Sequence, residues 1–543
     1  MHCLQINVKQ NNSAAFFVRR VIQIAACACA MIVFLLAIAA FAVPFLAAII
    51  QNSAEKKAAT DYVHLCAIAG FTLKQAIFST AIAVLVGLPA AFFISHRDFP
   101  FRRILSACAA VPLCIPPLII ALGYVSFFGM NGILNRVLAS FFSTDKKIIS
   151  FLYSFWGIVI AQGFYNFPLV MATVADSWAT LPRAQEDAAT VLGASNLRIF
   201  FTITVWHLLP AIISACIPVF LYCFFSFLIV LLFGGIGTTT LEVELYQAAR
   251  NSLDLSAATK IALIETTLAM AIVVLYSAAE NTSGTQKNAE ENPVRRHKIR
   301  GAEILIAGFF FLAIALFFVL PLLCIVFSAF PHGSLAVFQN VIHKKGFLPA
   351  LLSSAKIGVC TAVLCVIAAF SYAVFLKSRR NNLVLKTLPI LPMALSSVVM
   401  GFGMTRTVRA GSPLILVAAQ TALMWPLAFR QIWAGFAKIP SETLDAALLL
   451  SPHKIDAIFG VFLGECKRNI LSAAVLCFAV SAGDTTLPLV LAIPHFDTLS
   501  LFTYRLAGSY RFGEASAAAL ILGAWCMTLF AIANKMKEND DVF

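Results

Sequence analysis

The chain has 543 residues, of which 61% are hydrophobic and only 12% charged, with a mean hydropathy of +0.90. Charged residues alone make up about a quarter of an ordinary soluble domain, so a soluble globular protein is excluded and an all-α polytopic membrane protein is expected. The formal net charge of +14 does not point to nucleic acid, because the basic residues are scattered as pairs such as Arg102–Arg103 and Arg379–Arg380, a pattern that membrane topology explains.

Residues 1–18 read as a short polar tail. A membrane span needs about 20 apolar residues, and twelve such runs are centred near 21–49, 68–95, 104–128, 151–174, 206–233, 256–278, 302–330, 348–376, 385–404, 411–434, 470–493 and 514–534. Arg19 and Arg20 precede the first run, which is far longer than the apolar core of about 7–15 residues in a cleavable signal peptide. It is therefore read as a retained span.

With the N-terminus inside, the cytosolic segments hold 24 Lys and Arg residues and the opposite loops hold 12, while Lys74, Lys260 and Lys356 lie within spans. Positive charge in short loops marks the cytosolic side, so both termini are expected there. On the outer side, Gly129, Asn131 and Gly132 lead into a stretch that reads either as a short amphipathic surface helix or as a packed loop.

The fourth span carries Gln162, Tyr165 and Asn166, and the tenth carries Gln420 and Trp425. Polar groups within a bilayer face protein or a cavity, so these residues are candidates for lining a pathway. The alternative is interhelical hydrogen bonding.

The polar insertion from Leu181 to Phe201 returns 258 residues later. Pro182, Asp187, Ala188, Ala189, Leu192 and Phe201 fall on Pro440, Asp445, Ala446, Ala447, Leu450 and Phe459. The register extends from Ala161 and Gln162, matched by Ala419 and Gln420, to Thr240 and Tyr246, matched by Thr498 and Tyr504. This is a duplication. The first half spans 1–278 with its segment at 181–201, a polar cytosolic linker occupies 279–301, and the second half spans 302–543 with its segment at 439–459. Six spans precede the linker, so the halves are parallel repeats related by an axis along the membrane normal.

Proline at the start of each segment and the acidic residue after it suit a helix N-terminus, and Gly193 suits its end. The small faces of Ala188 and Ala189 permit close docking of a partner. No phosphate-cradling GxxxxGK[ST] loop occurs. The 14 cysteines sit mostly in apolar runs without metal-ligand spacing, and His207, His332, His343, His453 and His495 are scattered. Neither a catalytic constellation nor a metal site is expected.

At these residues the chain resembles the permease subunits of bacterial ABC importers, whose signature is EAA, three residues and Gly, followed by a hydrophobic ending. Asp187, Ala188, Ala189 and Gly193 match it, with Trp206 where the family has Pro; the second copy keeps Asp445, Ala446 and Ala447 but has Ser451 in place of Gly. The resemblance implies a type I importer permease fold in the bacterial cytoplasmic membrane. Two copies of a separate ATPase, which hold ATP and magnesium, would seat on the two segments. A periplasmic or lipid-anchored binding protein would deliver substrate.

Gly234 to Ala248 and Thr498 to Leu520 resemble the thiamine permeases, which favours thiamine or its phosphates as substrate. Ferric iron is the alternative, and an ion-coupled secondary transporter is the rival class. Both stretches are expected at the outer face, where Glu242, Glu244, Tyr246, Tyr504 and Arg511 are candidates for docking the binding protein. Glu265 and Asp484, costly in lipid, are expected to be paired or hydrated, with no assigned role.

Overall fold

The computed structural model describes residues 62–143, 148–181, 184–235, 237–283, 297–299, 301, 303–378, 388–407, 411–439, 441–450, 460–461 and 463–538. The expected first span at 21–49, most of the linker, and Pro182, Pro440 and Ser451 lie outside them. Among the described residues nine helices are long and apolar enough to cross a bilayer, and these residues are all-α apart from one two-residue strand pair.

The first half contains α1 (Tyr62–His96), α2 (Pro117–Phe128), α3 (Phe155–Ala179) and the short α4 (Ala184–Val191). It continues with α5 (Val205–Phe224), α6 (Leu228–Phe233), α7 (Leu241–Arg250) and α8 (Leu255–Ser283). The second half opens with α9 (Glu303–Ala329), then α10 (Phe347–Ser378), α11 (Ser397–Thr407), α12 (Pro413–Lys438) and α13 (Ser441–Leu450). It ends with α14 (Lys467–Gly483), α15 (Thr486–Leu491), α16 (Leu499–Gly508) and α17 (Phe512–Glu538). The bounds of α15 and α16 are those of α6 and α7 displaced by 258 residues.

The repetition reaches individual hydrogen bonds. Thr72 on α1 accepts from the amide of Leu241 at 3.0 Å, and Ser354 on α10 accepts from the amide of Leu499 at 2.7 Å. Ser79 donates to Gln162 at 2.9 Å, and Thr361 donates to Gln420 at 3.3 Å. Ser154 and Ser412 cap α3 and α12 in the same way. Each bond satisfies a polar group that hydrocarbon would leave unpaired.

Four of the expected spans are broken rather than continuous. Pro389 and Pro392 hold Leu388–Ala394 in a 3₁₀ turn ahead of α11, since proline supplies no amide hydrogen for a regular helix. The 470–493 run stops at Gly483 and restarts at Thr486. The runs at 104–128 and 206–233 are interrupted likewise, at Ile115–Pro116 and at Phe225–Phe227. Helix α8 continues to Ser283, beyond the expected edge of the linker. The outer stretch resolves as a helix over Ile133–Phe141, with Val137 and Phe141 exposed.

Helix α9 binds the two halves together. Pro321 offers no N–H to the carbonyl of Phe317 one turn earlier, and a π turn over Ala315–Val319 accompanies the gap. Tyr124 of α2 donates its hydroxyl to that carbonyl. Phe317 also stacks on Phe128 at 5.6 Å and tilts against Phe164 at 5.0 Å. The other face of α9 exposes Leu305, Ile306, Phe309 and Phe327, as a lipid-facing helix does. At its start, Arg97 from the end of α1 grips Glu303 with two bonds of 2.7 and 3.0 Å, beside the parallel pairing of Arg97–Asp98 with His297–Lys298.

Close approach at this seam requires Gly123, where an added Cβ would lie 2.5 Å from the carbonyl oxygen of Pro321. Overpacking of this kind costs about 1–3 kcal/mol. Gly123→Ala is expected to lower the apparent Tm of the detergent-solubilised protein by several degrees, whereas Gly308→Ala, with nothing within 4 Å, is expected to leave it unchanged or raised.

Candidate translocation cavity and coupling helices

A cavity of about 310 Å³ lies between the halves, within the range of small-molecule sites. Its wall is built at the four helix interruptions. Ile115–Pro116 and Phe225–Phe227 come from the first half, and Leu395–Ser396 and Gly483–Thr485 from the second. The halves touch closely here: a Cβ on Gly483 would meet Pro116 at 2.5 Å.

Backbone groups freed by the breaks are met by side chains. The Tyr165 hydroxyl lies 2.8 and 3.1 Å from the carbonyls of Ile115 and Pro112. Asp484 accepts from the amides of Thr486 and Leu487 at 3.0 and 3.3 Å, and Ser396 accepts from that of Val399 at 3.1 Å. Asp484 also accepts from the Gln420 amide at 3.1 Å.

Other polar atoms on the wall are uncommitted. Gln162 Nε2, Asn166 Oδ1, Glu242 Oε2 and Thr485 Oγ1 are buried without a hydrogen-bond partner, although buried polar atoms are nearly always paired. The remaining atoms of these side chains are fixed, with Gln162 Oε1 held by Ser79 and Asn166 Nδ2 donating to the Gln162 carbonyl at 3.0 Å. Tyr222, Phe225 and Phe227 add aromatic surface. The wall therefore presents donors, acceptors, ring faces and two carboxylates, Glu242 and Asp484, with no basic side chain among its described residues.

Gln162, Tyr165 and Asn166 line this cavity. Gln420 and Trp425 do not. Gln420 is buried behind Asp484, which occupies its amide, and Trp425 packs its ring against Tyr372 and Phe429. The equivalent of Asp484 in the first half is Ser226, which leaves Gln162 nearer the open space.

Glu242 corrects another expectation. It is 1% exposed and faces the cavity rather than the outer surface, because it sits on the inner face of α7. Glu265 of α8, also 1% exposed, lies within electrostatic range of it, and Ser396 is directed toward both. Neither oxygen of Glu265 meets hydrogen-bond geometry. Glu244 points the other way, 3.7 Å from His64. Tyr246 packs edge-on against Phe227 at 5.2 Å, and Tyr504 is half-buried nearby. Arg511 is exposed and pairs with Glu514, which also holds Lys344. The inward Glu242, the Ser396 opposite it and the role of Asp484 as a cap depend on folds in the chain that no spacing announces.

At the end of the bundle where His96 meets Trp178, α4 projects with Asp187 and Ala188 exposed and Ala189 half-buried. Gly193, at φ +84°, ends it with the paired bonds Gly193 N to Thr190 O and Ala194 N to Ala189 O, a left-handed turn that glycine accommodates without strain. Val191 and Leu192 are 88% and 87% exposed, as are their counterparts Leu449 and Leu450 on α13. Two matching apolar tips therefore stand free. The first is braced by Glu186 accepting from Thr204 and by Gln185 contacting His207 at 2.7 Å. The second has Leu444 and Thr443 at those two positions.

Residues 83–281 match the family of binding-protein-dependent transport system inner membrane components. Over its length the chain is similar to multi-pass inner-membrane permeases of the ABC importer class. Among its relatives is the thiamine transport system permease protein ThiP of Brucella abortus (strain 2308), 26% identical over 498 residues, covering 88% of this chain and 89% of that one. ThiP of Escherichia coli (strain K12) is 26% identical over 483 residues, 86% and 88% of the two chains. The putative 2-aminoethylphosphonate transport system permease protein PhnU of Salmonella choleraesuis (strain SC-B67) is 29% identical over 215 residues, 40% of this chain and 75% of PhnU.

Removing the brace on α4 with Thr204→Val and His207→Phe together is expected to cut ATP-driven transport about tenfold or more, since the Thr204 bond to the charged Glu186 alone is worth about 1.5–3 kcal/mol. Uptake into proteoliposomes checks this, with the amount of co-purified ATPase measured in parallel.

Proposed function

We propose that this protein carries thiamine or its phosphates across the bacterial inner membrane as the permease of an ATP-driven importer. The observation that carries this reading is likeness to thiamine permeases along nearly the whole chain, including both halves and the joint between them. The cavity supports it. An aromatic and amide-lined wall with two carboxylates suits a heteroaromatic cation better than a bare ferric ion.

Each apolar tip, with Asp187, Ala188, Ala189 and Gly193 in the first copy and Asp445, Ala446, Ala447 and Ser451 in the second, docks into one of two ATPase subunits. ATP and magnesium reside in those subunits, and this chain holds no cofactor. A binding protein docks on the outer face near Tyr246, Tyr504, Arg511 and the exposed Tyr510. Both termini lie in the cytoplasm.

Closure of the ATPase pair draws α4 and α13 together. That movement shifts the broken helices against one another and turns the cavity toward the loaded binding protein. Hydrolysis returns it to face inward. The amides, hydroxyls and carboxylates on the wall replace part of the water that the ligand sheds, and their fixed positions limit the cost of ordering them around it.

One observation favours a second reading. Buried carboxylates within a membrane domain, here Glu242, Glu265 and Asp484, are the groups that ion-coupled transporters use. The two readings separate by energy source: in proteoliposomes, uptake is expected to require ATP inside the compartment that bears the ATPase and to be indifferent to an uncoupler. ATP hydrolysis is expected to rise severalfold with thiamine-loaded binding protein and not with the ferric-loaded form. Stimulation by ferric iron alone would overturn the substrate, and uptake driven by an ion gradient without ATP would overturn the class.

A further inference from the structure

The two buried glutamates are not demanded by the fold. Their equivalents in the second half are Ser500 and Gly523, and α16 keeps the bounds of α7 displaced by 258 residues and the same anchoring bond from α10 to Leu499. Ser500 uses its hydroxyl to bond the backbone carbonyl of Asp484 at 2.7 Å, a structural task. Glu242 has no such task on its free oxygen. It stands in the first turn of α7, where the helix dipole favours a carboxylate, and the Thr72 bond to the neighbouring Leu241 amide fixes that turn.

An ionised carboxylate buried without a partner is costly, and two side by side repel each other. Within a membrane domain such groups face a cavity and serve it. Here Glu242, with its unpaired Oε2, shares the wall with Gln162 and Asn166, whose amides also keep unpaired atoms, and with Tyr222 and Phe225. Ring faces attract organic cations.

We propose that Glu242, with Glu265 behind it, reads the positive charge of an organic cation in transit, while Gln162 and Asn166 take the ligand's polar edge. This deepens the importer reading and rests on it for the direction of travel. The site belongs to the first half alone, so the charged ring is held on that side and the remainder of the ligand extends toward Asp484 and Thr485.

The test uses the full assembly in proteoliposomes, with saturating binding protein loaded with thiamine, a permanent cation. Glu242→Gln keeps the shape and removes the charge. It is expected to reduce thiamine accumulated per ATP hydrolysed about tenfold, as loss of one close charge contact does. ATPase co-purification and binding-protein-stimulated hydrolysis are expected to stay within about twofold of wild type, because the site lies away from the coupling helices. Glu242→Asp is expected to retain more than half of the transport. Glu265→Gln is expected to act in the same direction with a smaller effect.

Wild-type transport by Glu242→Gln would overturn the proposal. So would parallel loss of stimulated hydrolysis, which would make Glu242 a residue of assembly. A wild-type assembly that ignores thiamine but moves another organic cation, in a manner sensitive to Glu242→Gln, would overturn the thiamine reading and uphold this one. Transport confined to neutral or anionic substrates would overturn both.

Discussion

In the core of a bilayer no water is available to a peptide N–H or C=O, and each one left alone costs several kcal/mol. A span can therefore be interrupted only where something else takes up the freed groups. The chain meets this condition with nearby side chains, and ahead of the Phe225–Phe227 break Gln75 donates to the Cys223 carbonyl at 2.7 Å. Tyr124 reaches across to the Phe317 carbonyl stranded by Pro321, Tyr165 covers Pro112 and Ile115, and Asp484 and Ser396 cap the helices that restart after them. The cavity is the place where four such breaks converge, so the open space and the means of holding it open have one origin.

The same constraint explains why polar residues here divide into two kinds. Thr72, Ser79, Ser354 and Thr361 are spent on architecture, and they form the same bonds in both halves. The atoms left unpaired all belong to the repeated frame but not to its repeated bonds. Rigid framing with a few free donors and acceptors is the arrangement that lowers the cost of binding a small ligand. The two projecting helices both end in exposed apolar residues, and the first is braced by Glu186 and Gln185.

Much of this was legible in the sequence. Composition establishes the membrane class, and the fixed spacing of Asp187-Ala188-Ala189 and its copy exposes the duplication and the projecting helices. Gln162 and Asn166 betray the cavity because amides are out of place in hydrocarbon. Hydropathy could not separate a continuous span from one broken at Pro389 and Pro392 or at Gly483, since both are equally apolar. Nor could it place Glu242. An acidic residue beside a glycine-rich turn reads as exposed, and only the packing of α7 against α8 and α11 turns it inward. Gln420 misled for the opposite reason: its position is equivalent to Gln162, but Asp484 from another helix has already claimed its amide.

Fusion of the halves into one polypeptide changes what the pathway can become. In an assembly of two identical chains, any residue placed on one wall is placed on the other, and a ligand with two different ends must meet the same chemistry at each. Here Glu242 faces a half that carries Ser500, and Asp484 faces one that carries Ser226. The two walls can drift apart in sequence while the bonds that hold the scaffold stay matched. Two unlike walls can tell the two ends of a small molecule apart, which two identical walls cannot.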